Sequence, residues 1–233
     1  MEIIAEAGIN HNGSLDTAIE LIRQAKLADC DVVKFQYYIP EILCVDRECY
    51  NAYDILNKNK MHYQWLPILK NECDRQGIEF LCTAFCKFTV EDVEPYVKRF
   101  KIASPEVRYG FVTEVAKYGK PLILSTGKVT QEELDKIMTI DADITLLYCI
   151  SKYPALPSDY NLNEIERLRK RYRCKVGLSC HCVGIKNAIE AAKQHNADII
   201  EKHFMLDKNC VDSEVSLLPH ELNKLTNIIR RTL

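Results

Sequence analysis

The sequence has no surplus of either charge. Its 31 Lys and Arg against 33 Asp and Glu give a formal net charge of -2, with acids and bases interspersed, so it offers no basic face to nucleic acid. No apolar run approaches the ~20 residues that cross a bilayer, and Met1-Glu2-Ile3-Ile4 leads straight into a strand with no charged leader ahead of it. No GxGxxG follows that first strand, which removes the dinucleotide fingerprint of an open doubly wound sheet. No CxxC spacing occurs among the eleven cysteines, whose number is odd. Several lie inside apolar strand-like runs, so they read as reduced thiols serving as small core residues, and the expected setting is the cytoplasm.

With 47% hydrophobic residues in 233, the chain can bury one large core. It is organised around Ile199-Ile200-Glu201-Lys202-His203-Phe204, an apolar run that ends in an acid, a base and an imidazole. Alternation along a strand puts Glu201 and His203 on one face and Lys202 on the other. A buried carboxylate and imidazole are costly unless paired or metal-bound, and a structural ion pair capping a strand would also account for them. What decides between the two is whether other strands end the same way.

They do. Strands are expected at Ile3–Ala7, Val32–Gln36, Glu79–Phe85, Arg99–Ser104, Leu122–Thr126, Ile144–Ile150 and Val176–His181 as well. Helical spacing follows each one, from Leu15, Ala18, Ile19, Ile22 and Ala25 to a last helix over 219–230. Thr130 with Glu133 predicts a capping box, and Tyr37 to Lys60 reads as a long binding loop without clear periodicity. Alternating β and α units imply parallel strands with right-handed crossovers. Eight in a chain of this length make an α/β protein, a (β/α)8 TIM barrel, as a single domain over 1–233.

The strand ends of such a barrel converge on one mouth. They bring Glu6, Lys34, Gln36, Thr83, Lys101, Ser104, Glu106, Ser125, Thr126, Tyr153, Ser179, His181, Glu201 and His203 together. Two lysines among several hydroxyls suit a phosphate, and imidazoles on adjacent strands can share a divalent metal.

Several blocks, in order, resemble the sialic acid synthase (N-acetylneuraminate synthase) family. They include Ala5-Glu6-Ala7-Gly8-Ile9-Asn10-His11-Asn12-Gly13, Val33-Lys34-Phe35-Gln36, Lys101-Ile102-Ala103-Ser104, Ser125-Thr126-Gly127 and Glu201-Lys202-His203-Phe204. The resemblance implies condensation of phosphoenolpyruvate with the open-chain aldehyde of an N-acylated, N-acetylmannosamine-like amino sugar. The product would be a sialic-acid-like nonulosonic acid, and phosphate would be released. By similarity Lys34, Thr83, Lys101, Ser104, Ser125 and Ser179 would hold phosphoenolpyruvate, with Ser151 standing where an asparagine is usual. His181 and His203 would bind Mn²⁺, or else Mg²⁺, Co²⁺ or Zn²⁺. Glu6 and Glu106 would position water or shuttle protons, Tyr153 and Asp212 would contact the sugar, and Glu201 would support the metal site.

The chain departs from the family pattern in places. Cys180 and Cys182 flank His181 where an acid and a threonine are usual, so either they are core or loop residues or one is a thiolate ligand. Only Cys210-Val211 precedes Asp212, where the family has a Pro-Gly-Pro stretch, so the position of Asp212 is open. The small antifreeze-like domain that usually follows the barrel is not expected within 1–233. The sugar site is then open, completed by a separate capping protein, or adapted to another acceptor, and a homodimer is only weakly expected. Two other functions remain: a Schiff-base aldolase using Lys34 or Lys101, and a non-catalytic phosphoenolpyruvate- or sugar-phosphate-binding barrel that needs a partner.

Overall fold

The computed structural model describes residues 1–45 and 52–231. Among them eight parallel strands close into a barrel in chain order, β8 pairing back onto β1. The strands are β1 (Glu2–Gly8), β2 (Val32–Tyr37), β3 (Glu79–Ala84), β4 (Phe100–Ile102), β5 (Leu122–Ser125), β6 (Ile144–Cys149), β7 (Val176–Cys180) and β8 (Ile199–His203). The helices are α1 (Leu15–Leu27), α2 (Pro40–Val45), α3 (Tyr53–Lys58), α4 (Trp65–Gln76), α5 (Lys87–Val93), α6 (Tyr109–Ala116), α7 (Gln131–Ile137), α8 (Asn163–Tyr172), α9 (Lys186–Gln194) and α10 (Pro219–Arg230). The expected (β/α)8 barrel is therefore present, and no described helix is long and apolar enough to cross a membrane.

Local chemistry sets the boundaries. Ser14 caps α1 by accepting from Thr17 N at 3.2 Å, and Ala18, Leu21, Ile22 and Ala25 form its buried stripe. Gly77 ends α4 in the left-handed region at φ 65°. β3 stops at Ala84 because the Phe85 N–H turns to Thr89 Oγ1 at 2.9 Å. β4 stops early because Pro105 has no N–H for the ladder, and Ser104–Glu106 winds into a 3₁₀ turn.

Two local expectations change. Thr130 does accept from Glu133 N, but the Glu133 carboxylate reaches across to Tyr109 N at 2.6 Å, so the box is half formed and α7 caps α6 instead. The long connection after β2 is not loop throughout, since it holds α2 and α3; its residues 46–51, including Cys49, lie outside the described residues.

Alternation along the strands sorts the barrel interior into layers. Ile4, Val32, Leu81, Ile123, Leu147 and Ile199 form an apolar floor. The next inward position on each of these six strands is polar or carries a thiol: Glu6, Lys34, Thr83, Ser125, Cys149 and Glu201. The opposite faces of the strands pack under the helices as a separate, larger cluster that includes Cys30, Cys73, Cys82 and Cys180 as buried free thiols. Below the floor Arg99 joins Glu2 and Glu79, each at 2.8 Å, and ties three strands or their approaches at the amino-terminal end.

Candidate active site

The polar layer and the strand ends above it line a cavity of about 240 Å³. One side is built from β2 to β7, joined by Glu6 of β1 and Glu201 of β8. Lys34 Nζ lies 2.8 Å from Glu6 Oε2 and 3.1 Å from Thr83 Oγ1. Lys101 Nζ donates to Ser125 Oγ at 2.7 Å. Glu201 sits between the two lysines, with Oε2 at 3.6 Å and 4.0 Å from them, while Ser179 Oγ donates to its Oε1 at 2.9 Å. Beyond Lys101 the Gly127 N–H donates to Ser104 Oγ at 3.0 Å. A Cβ on Gly127 would fall on Ser151 Oγ and lie 2.7 Å from Cys149 Sγ. The missing side chain is what allows Ser104, Cys149 and Ser151 to gather around that amide.

The other side is built from β1, β8 and the loops after β6, β7 and β8. The His181 and His203 rings stand 5.5 Å apart edge to face, and Tyr153 stacks on His181 at 4.2 Å. His181 Nδ1 is 2.7 Å from the Ile150 carbonyl, which can only accept. Nδ1 therefore carries the proton, and Nε2 keeps its lone pair and accepts from the Tyr153 hydroxyl at 3.1 Å. His203 Nδ1 faces the Asp212 carboxylate, with Oδ2 at 3.3 Å, and, against burial, that contact helps hold the Asp212 carboxyl below the usual carboxylate range. Gln36 Nε2 donates to Glu6 Oε1 at 2.8 Å. Gly8, at φ +53°, occupies the bulge between β1 and β2, and a Cβ there would meet Glu6, Asp212 and Gln36 at 3.3–3.4 Å.

Burial and charge pull the titratable groups apart. Burial disfavours the Lys34 ammonium, but Glu201 and Glu6 together outweigh it and raise its pKa above the ordinary lysine value. Lys101 goes the other way: burial, with Lys34 nearby, lowers its pKa despite Glu201. The Glu201 carboxyl is opposed by burial, yet Lys101, Lys34 and the Ser179 hydroxyl bring it down to about 2. Burial, reinforced by His203, lowers His181 to about 3, so it is a neutral imidazole at physiological pH.

Most of the residues expected at the mouth line this one cavity: Glu6, Lys34, Gln36, Thr83, Lys101, Ser104, Ser125, Ser151, Tyr153, Ser179, His181, Glu201 and His203. Asp212 comes to the rim, held by its N–H on Asn10 Oδ1 at 3.1 Å. Glu106 is buried in the turn after β4 and is not part of the wall. Thr126 is also outside the wall, bonding the Leu147 carbonyl instead. Cys180 and Cys182 belong to the core under the helices and do not reach the cavity. Pattern reasoning missed Gly8, Gly127, Cys149 and Lys128. The first two were visible as glycines two residues after the inward polar positions Glu6 and Ser125; Cys149 was hidden by its apolar strand. Lys128, which is exposed, also lines an adjoining outer cavity of about 560 Å³ with Arg108.

The model of the NeuB family matches residues 21–233. The pseudaminic acid synthase of Campylobacter jejuni is 37% identical over 98% of this chain and 73% of its own length. The N,N'-diacetyllegionaminic acid synthase of the same organism is 34% identical over 98% of this chain and 75% of its own. Among solved structures, the N-acetylneuraminic acid (sialic acid) synthetase of Leptospira borgpetersenii superposes with a TM-score of 0.92 at 30% identity. That match covers 98% of this chain and 82% of the other.

Proposed function

The chain belongs to the NeuB family, and from that premise we propose that it condenses phosphoenolpyruvate with the open-chain form of an N-acylated amino sugar to give a nonulosonic acid and phosphate. What carries this is the division of one cavity between two charged lysines with hydroxyls and two imidazoles with a tyrosine. Lys34, Lys101, Thr83, Ser104, Ser125, Ser151 and Ser179 bind the phosphate and carboxylate of phosphoenolpyruvate by charge-assisted hydrogen bonds. Tyr153, Asp212 and Gln36 hold the sugar, so that its aldehyde carbon faces the methylene carbon of the enol.

A carbon–carbon bond then forms between those two atoms, and the aldehyde oxygen takes up a proton. Positive charge develops at the carbon bearing the phosphate oxygen; water adds there, and the carbon–oxygen bond to phosphate breaks to leave a ketone. Glu6, fixed by Gln36 and Lys34, orients that water or takes its proton, and Glu106, which is outside the wall, is left without a part in this step. His181 and His203 fit a divalent ion, because His181 keeps the lone pair on Nε2 and Asp212, facing His203 Nδ1, would leave the Nε2 of that ring to ligate. Among the described residues no cluster of three such donors forms, so water or substrate would complete the set. Mn²⁺ is the first candidate, and it would supply Lewis acidity toward the aldehyde oxygen.

The test is phosphate release from phosphoenolpyruvate with Mn²⁺ and a panel of N-acylated amino sugars, comparing wild type with His203→Ala. Release that needs the sugar and His203 supports the synthase and names the acceptor. Sugar-independent release, or an equally active His203→Ala, rejects it. A second reading has its own observation, the lowered pKa of Lys101, which would favour a Schiff base with a carbonyl substrate. Borohydride trapping of a lysine adduct would decide for that aldolase.

A further inference from the structure

We infer that Lys202 is a positioning residue that locks the His181 imidazole in place; the inference rests on the synthase reading only for the importance it gives to His181. Lys202 is fully buried, at 0% exposure, on the outer face of β8 and away from the cavity. Its register partner on β7 is Cys180.

The ammonium meets three backbone carbonyls: Cys180 at 3.3 Å, Cys182, and Val215 at 2.8 Å. An ammonium has three N–H donors, and each finds a carbonyl. Two of those carbonyls flank His181 on either side. The third belongs to the turn that carries Asp212, since the Val215 N–H bonds the Asp212 carbonyl at 3.2 Å. Lys202 thus joins the segment bearing one imidazole to the turn bearing the aspartate beside the other.

The remaining contacts of the His181 peptide have the same effect. Tyr160 OH accepts from His181 N at 2.9 Å and donates to the Ser179 carbonyl at 3.2 Å. The His181 carbonyl accepts from Ala155 N at 3.0 Å, and its ring donates to Ile150. β7 ends at Cys180, so the carbonyls beyond it need donors from outside the ladder. A buried ammonium costs more than an apolar side chain of the same length. Its presence is explained by a place where three carbonyls, from the end of β7, the loop after it and the turn at Val215, must be held around one point. A misplacement of about 1 Å in a reacting group can cost on the order of 100-fold in rate.

The experiment is Lys202→Met in the full chain, which keeps the aliphatic stem and removes the donors. It has two readouts: ¹⁵N spectra of histidine-labelled protein, and kinetics paired with calorimetry of phosphoenolpyruvate binding. The expected result is that the His181 ring signals lose their fixed Nδ1–H pattern and turnover falls about 100-fold, while phosphoenolpyruvate affinity is unchanged. Unaltered His181 signals overturn the inference, as does a parallel fall in turnover, phosphoenolpyruvate affinity and melting temperature, which a general structural role would give. If Lys202→Met does not fold, Tyr160→Phe removes the two hydrogen bonds on the other side of the same peptide and is judged by the same split. A wild type that never releases phosphate in a sugar-dependent way would reject the synthase reading, and the spectra would still decide the role of Lys202.

Discussion

The two sides of the cavity are held together by different means. On the lysine side, the one proposed to take phosphoenolpyruvate, the side chains stand on strands and brace one another directly, Lys34 on Glu6 and Thr83, Lys101 on Ser125, Ser179 on Glu201. On the imidazole side, the one proposed to take the acceptor, His181, Tyr153 and Asp212 sit beyond strand ends, and His181 is held by backbone groups: Ile150 O for its ring, and the carbonyls gathered by Lys202 for its peptide. The first side depends on charge balance inside a rigid barrel. The second depends on loop geometry, which the barrel controls only through such clamps. Damage to the first should therefore appear in stability and phosphoenolpyruvate affinity together, and damage to the second in acceptor use alone.

The largest effect expected on this basis is that of Lys34→Met. Glu6 and Glu201 are 1% and 4% exposed, and the substitution leaves one without its 2.8 Å partner and the other with Lys101 alone at 4.0 Å. Breaking a buried pair from one side costs about 3–5 kcal/mol. Urea unfolding should show that loss, and phosphoenolpyruvate binding should vanish. A variant of wild-type stability would mean that the acids are solvated or protonated in the folded state, and that charge balance does not hold this side.

A matched pair of glycine substitutions separates the two sides more sharply. Gly127→Ala drives a methyl into Ser151, Cys149 and Ser104, so KM for phosphoenolpyruvate should rise about tenfold, in keeping with the cost of overpacking. Gly8→Ala adds strain at φ +53° and crowds Glu6, Gln36 and Asp212. KM for the sugar should rise there, with phosphoenolpyruvate affinity unchanged by calorimetry. If both variants move the same substrate, the two sides of the cavity do not serve separate substrates.

Why one side was legible in the sequence and the other only partly so follows from the same contrast. The inward placement of Lys34, Lys101, Ser125 and Glu201 needs only alternation along short strands in a barrel, and all four line the cavity as expected. The barrel itself was legible because each strand and helix declared itself by its own period. Glu106 carries the same local signal, but Pro105 turns the chain before it and takes the carboxyl out of the wall. The return of Asp212 to His203 depends on Asn10, about two hundred residues away, which no local pattern reveals. The role of Lys202 was hidden further still. Alternation placed it on the outer face, which packs under the helices, where a charge is unexpected, and only the three carbonyls explain it.

Charge also makes the first side sensitive to pH. Burial, with Lys34 nearby, holds the Lys101 pKa below the ordinary lysine value despite Glu201, so its ammonium is lost as pH rises through a value below that of an ordinary lysine. Phosphoenolpyruvate affinity should accordingly fall at alkaline pH before free lysines titrate, as measured by calorimetry across a pH series. Lys101→Arg should remove that limb, because a guanidinium stays charged throughout. An alkaline limb that persists unchanged in Lys101→Arg would assign the titration elsewhere.

The smallest effect is expected at Lys128, where the two cavities meet. It is exposed, so solvent and salt screen whatever it contributes. Lys128→Met should raise KM for phosphoenolpyruvate by less than about fivefold, the range of an exposed ion pair, and the difference from wild type should shrink as ionic strength rises. Stability should be unaffected, in contrast with Lys34→Met. A larger, salt-resistant effect would show that Lys128 is drawn into the inner cavity when phosphoenolpyruvate binds, and the phosphoenolpyruvate side would then include a cation that the barrel does not hold in advance.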